Sequence, residues 1–139
     1  RHYILTLYNH MNYSYKREVQ LSYAEAVAKS KAELAKEGFG ILTEIDVKAT
    51  LKHKLNVDFD NYLILGACNP PFAYQALQAE REVGLLLPCN VIVYENDGKT
   101  FVSAIVPTVA MGMVDNPLLA KIATQVEDKL KRAIDSLNP

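Results

Sequence analysis

The chain reads as an α+β domain: one antiparallel sheet of about five strands with two long helices on one of its faces. Three observations predict this. Apolar residues recur in twos over 12–20 and every three to four residues over 118–137, so strand and helix periods both occur. Two helix-start signals, Ser22-Tyr23-Ala24-Glu25 and Asn116-Pro117, bracket a block of strand-like runs. Inside that block Asn96-Asp97-Gly98 is a strong hairpin signal, which makes its flanking strands antiparallel.

Taken in order, the first strand spans Asn12 to Gln20, with Tyr13, Tyr15, Arg17 and Val19 on one face and Ser14, Lys16 and Glu18 on the other. Ser22 and Glu25 form a capping box, in which each side chain satisfies a backbone amide of the other. The helix that follows places Ala24, Val27, Ala28, Leu34 and Ala35 on its apolar stripe and ends at Gly38 as a left-handed cap. Phe39 to Ile45 is the second strand. Asp46 caps a short helix, Val47–Leu55, which Asn56 can end in the left-handed region. Tyr62 to Cys68 is apolar on both faces, which predicts a central strand covered on both sides.

Asn69-Pro70-Pro71 starts a second short helix with Asn69 at the cap and proline where a missing amide hydrogen costs nothing. Pro88 interrupts an apolar run, and Cys89 to Tyr94 resumes as a strand. The hairpin returns through Lys99 to Val106. Pro107 to Asp115 reads as a loop. The last helix, from Leu118 to about Leu137, carries Leu119, Ile122, Ala123, Val126, Leu130, Ala133, Ile134 and Leu137 on one face. Outside it, Glu127–Lys131 and Asp128–Arg132 stand at ion-pair spacing. The order is β-α-β-β-β-β-α with two short helices inserted, and Gly38 to Val106 forms a meander.

At 139 residues the chain has the size of one domain and can bury a core without disulfides. Its net charge of −1 offers no bulk attraction to nucleic acid or to an anionic membrane, so neither is an expected partner. No apolar run approaches the roughly 20 residues of a membrane span. Residues 1–10 hold the short apolar run Tyr3–Tyr8 and no small-residue cleavage site. They read as an added N-terminal extension, and residues 11–139 as a single domain. With two cysteines and no secretory signal, a reducing cytoplasm and free thiols are expected.

Three separated blocks then carry a resemblance: Gly38-Phe39-Gly40-Ile41-Leu42-Thr43-Glu44-Ile45-Asp46-Val47-Lys48, Leu65-Gly66-Ala67-Cys68-Asn69-Pro70, and Leu87-Pro88-Cys89-Asn90-Val91. In this order they resemble the domain of unknown function 302 family, over about Tyr13 to Leu137. The resemblance implies a TATA-binding-protein-like α+β fold and a homodimer. It implies no established activity, and the fold name brings no DNA-binding role.

The candidate site follows from the meander. Cys68 ends one strand and Cys89 begins the next, which brings both thiols to one rim with Phe39, Asn69, Asn90 and Ser103, a candidate thiol-dependent small-molecule or redox site. Cys68 is the expected reactive member, because it precedes a helix N-terminus whose positive end favours a thiolate. Asn69 and Asn90 are candidate donors to a bound anion or carbonyl. Tyr62, Tyr74 and Tyr94 are candidate wall residues. The alternative is a non-catalytic homodimeric interaction module in which both cysteines pack as small hydrophobes. Two cysteines fall short of the ligand set zinc takes, so no metal or other cofactor is expected. A soft metal ion is the minor alternative and would draw on Met111 and Met113. His53 receives no role. No phosphate loop, dinucleotide glycine pattern or nucleophile elbow occurs, and the sequence names no reaction.

Overall fold

The computed structural model describes residues 12–138; the extension expected at residues 1–10 lies outside them. The elements are β1 (Ser14–Val19), α1 (Tyr23–Lys36), β2 (Gly40–Asp46), α2 (Val47–Leu55), β3 (Tyr62–Cys68) and α3 (Pro70–Ala79). A 3-10 turn (Arg81–Leu86) leads to β4 (Cys89–Asn96), β5 (Lys99–Ile105), the short α4 (Pro107–Ala110) and the long α5 (Pro117–Asp135). The strands form one antiparallel sheet in the order β1-β5-β4-β3-β2. Strands β2 to β5 are the expected meander, and β1 closes its far edge beside β5.

Local chemistry sets the element ends. Ser22 Oγ accepts from the Glu25 amide at 3.1 Å and Glu25 Oε1 accepts from the Ser22 amide at 2.9 Å, the reciprocal pair of a capping box. At the far end of α1 the Gly38 amide donates to Ala35 O and the Phe39 amide to Leu34 O, with Gly38 at φ +87°. This is a Schellman turn, and it seats Phe39 against Leu34 in the core. Asp97 and Gly98 have φ of +51° and +75° and close β4 onto β5 in a two-residue hairpin. Asn116 Oδ1 accepts from the Leu119 amide at 3.1 Å while its Nδ2 donates to Ala79 O at 2.8 Å. One side chain thus starts α5 and holds it to the end of α3.

The core lies between one face of the sheet and helices α1, α3 and α5. Leu63, Leu65 and Ala67 of β3, Val91 and Val93 of β4, and Val102 and Ala104 of β5 alternate inward along their strands. The α5 stripe meets them as expected, from Leu119 to Ile134. The buried line of α1 is Ala26, Ser30 and Leu34, and Ala24, Ala28 and Ala35 are exposed. Alanine is too weakly apolar to fix the rotation of a helix; the small Ala26 and Ser30 instead let α1 lie close to the sheet. Asp128 does not pair with Arg132, whose Nε donates to Glu37 Oε1 at 3.1 Å and so links α5 to the end of α1. The segment 107–115, expected as loop, contains α4.

The second face of the sheet is not covered by α1, α3 or α5. There Phe59, Tyr62, Tyr94 and Phe101 form a row with ring centroids 5.3 to 6.2 Å apart, and Lys16 Nζ lies 5.2 Å from the Phe101 ring. Strand β3 is interior to the sheet and none of its residues is exposed: Leu63, Leu65 and Ala67 lie under the helices, while on the other face neighbouring side chains leave Tyr62, Ile64 and Cys68 half-buried. Aromatic neighbours across the strands shield one another where a helix would otherwise pack. No helix of the described residues is long and apolar enough to cross a membrane.

Candidate functional site

Cys68 is the last residue of β3 and Cys89 the first of β4. The register places Cys89 directly opposite Ala67, so Cys89 shares the helix-covered face, and it is 7% exposed. Cys68 is one residue further along and is half-buried. Its partner across to β2 is Gly40, which has no side chain to cover the thiol. Neither cysteine is in a disulfide.

Asn69 follows at the N-cap of α3, but its side chain makes no cap bond. Its Nδ2 instead donates to Glu37 O at 3.1 Å, beneath the Schellman turn, where Gly38 leaves room for it. This bond fixes the start of α3 to the end of α1, and with it Phe39, which is 4% exposed. Asn69→Ala is expected to lower stability by about 1–3 kcal/mol, since a backbone carbonyl loses its partner. Urea unfolding measures this, and a loss under about 0.5 kcal/mol would show the bond to be idle.

These residues open onto a cavity of about 320 Å³. Phe39, Ala67, Cys68, Asn69 and Cys89 form its sheet side; Phe72 and Ala76 of α3, Met111, and Ile122, Ala123 and Val126 of α5 form the opposite side. No charged side chain lines it among the described residues. Burial, together with the nearby Cys68 thiol, pushes the Cys89 thiol up to about 11, so at neutral pH Cys89 stays protonated.

The helix N-terminus beside Cys68 is weaker than its position suggests. Pro70 and Pro71 occupy its first turn and have no amide hydrogen, and the Ala73 amide already donates to Asn69 O at 2.9 Å. Only the Phe72 amide of that turn remains for a bound group.

Four of the six expected site residues, Phe39, Cys68, Asn69 and Cys89, therefore share one cavity. Asn90 and Ser103 do not line it. Strand alternation turns Asn90 away from the face of Cys89, and Ser103 stands opposite Ile92 on that second face of the sheet. Tyr62 and Tyr94 pair at the other end of β3 and β4, and Tyr74 is 66% exposed, so the tyrosines expected at the cleft are elsewhere. Met111 lines the cavity while Met113 is 77% exposed. Among the described residues no three His, Cys, Asp or Glu side chains converge as a metal set. The wall residues Phe72, Ala76, Ile122 and Val126 were visible in sequence only as helix stripes. A stripe tells which side is covered, not where a space remains.

The same fold occurs in a solved protein. The crystal structure of an uncharacterized conserved protein, DUF302, from Bacillus stearothermophilus superposes with a TM-score of 0.85 at 32% identity, covering 90% of this chain and 98% of that one. Residues 15–137 match the family described as Domain of unknown function DUF302. The chain belongs to the DUF302 family. No curated protein is significantly similar to it. The match spans the DUF302 fold from β1 through the end of α5, so both cysteines and the whole cavity lie inside the family domain.

Proposed function

We propose that this DUF302 domain binds a small molecule in the cavity and presents Cys68 to it, with Cys89 as a neutral neighbour. The observation that carries this reading is the placement of both cysteines on the wall of one apolar cavity of about 320 Å³, a size within the range of small-molecule sites. Cys68 is the member that reacts, because it is only half-buried and pairs with a glycine, whereas Cys89 is buried and holds its proton. Iodoacetamide labelling of the native protein at pH 7.5, read by peptide mass spectrometry, tests it. Cys68 is expected to alkylate at least about tenfold faster than Cys89. A Cys68 that resists labelling until the protein unfolds would overturn the reading.

A second reading, a homodimeric interaction module, rests on the sheet face opposite α1, α3 and α5. The aromatic row there adjoins Ile45, which is 47% exposed, and the same face carries Lys16 and Glu18. Opposite charges on one apolar face suit a two-fold contact between identical surfaces. Sedimentation at micromolar concentration distinguishes a dimer from a monomer, and Tyr94→Lys is expected to dissociate the dimer.

A further inference from the structure

We infer that the ligand of this cavity is a neutral, apolar small molecule, such as a fused ring system or a short aliphatic chain with at most one polar end, and not an anion or a sugar. The inference rests on the binding role proposed above and names its ligand class. The wall is the first argument. A carboxylate or phosphate entering it would leave water without meeting a cation, since no lysine, arginine or histidine lines the space.

The second argument is the helix end. An α-helix N-terminus can hold an anion through its free amides. Here the two prolines at Pro70 and Pro71 remove two of those donors and the Ala73 amide is engaged, so of the first four only the amide of Phe72 is left over. The element that would ordinarily reward a negative ligand has been left nearly without donors.

The third argument concerns Asn69. One of its amide hydrogens goes to Glu37 O, and its Oδ1 makes no hydrogen bond among the described residues. Asn69 is 8% exposed and lines the cavity. Its second amide hydrogen and its Oδ1 supply two neutral polar contacts, enough to orient a hydroxyl or amide and too little to solvate a charge. The space itself is held open by small residues, Ala73, Ala76 and Ala123 on facing helices and Gly84 beyond them. It is about twice the volume of the roughly 150 Å³ apolar cavity that holds benzene.

The test uses the neutral dye N-phenyl-1-naphthylamine, whose fluorescence rises on entering an apolar site, with displacement by 1-octanol and by sodium octanoate at pH 8. The dye is expected to bind and to slow iodoacetamide labelling of Cys68. Octanol is expected to displace it at a concentration at least about tenfold lower than octanoate. Ala123→Leu and Ala76→Leu, each checked for an intact thermal transition, are expected to weaken dye binding at least about tenfold by filling the space. Octanoate displacing as well as octanol, with Cys68 still protected, would overturn the ligand class and leave the binding role standing. Dye that neither binds nor protects Cys68 would instead overturn the binding role.

Discussion

Gly66→Val is expected to destabilise the domain by about 3 kcal/mol, the upper end of overpacking costs. Gly66 lies in β3 two residues before Cys68, and it is buried without a side chain of its own. A Cβ there would land on Thr43 Oγ1 and stand 2.8 Å from Pro88 Cγ. Thr43 comes from β2 and Pro88 precedes β4, so the three strands close over this glycine from both sides. Thr43 sits directly opposite Gly66 in the ladder, so turning its hydroxyl aside still leaves its Cβ close by, and Pro88 is a ring fused to the backbone. Gly40, also in the sheet and also beside Cys68, has nothing within 4 Å of its added Cβ. Gly40→Ala is therefore expected to change stability by less than about 1 kcal/mol. Denaturant unfolding of the two variants gives the comparison, and equal costs would contradict the packing described at Gly66.

Alkali should destabilise the fold through Cys89. Its thiol titrates near 9 when free and at about 11 in the folded domain, because burial, and after it the Cys68 thiol, disfavours the thiolate. The unfolded chain therefore releases the proton first. Stability is unaffected by this group below about pH 9 and falls as pH rises from about 9 to about 11, by up to roughly 3 kcal/mol. Tyrosines and lysines titrate in the same range, so the informative quantity is the difference between wild type and Cys89→Ala across pH 8–11. The variant is expected to start less stable and to lose less. Parallel curves would show that the Cys89 thiolate is not disfavoured by the fold.

Where a residue acts on its own neighbours, the sequence announced it. The capping box at Ser22, the hairpin at Asp97-Gly98 and the cap at Asn116 each depend on atoms a few residues apart, and each stands as expected. Where the outcome depends on which distant surface arrives, it was hidden. Asn69 has the sequence of a side-chain cap, yet Glu37 O, from another element, captures its amide. Arg132 has Asp128 at helical spacing and bonds Glu37 instead. The site divides in the same way. The meander alone brings Cys68, Asn69 and Cys89 together, but which further side chains reach the cavity depends on how the helices close over the end of the sheet, and Asn90 and Ser103 are not among its lining. The helix end expected to favour a thiolate at Cys68 is corrected by Pro70-Pro71, whose missing amide hydrogens leave that terminus nearly without donors.

The position of β1 bears on how the molecule is made. A nascent chain emits Ser14–Val19 at the start of the domain, but the strand these residues pair with, Thr100–Ile105, leaves the ribosome near its end. Until then the first strand has no neighbour, while the four that follow can zip together hairpin by hairpin. The opening segment of the domain is thus the last strand to be placed, and α5, which reaches back to β1 through Asp135 and Tyr15, must be synthesised before it can latch that strand down.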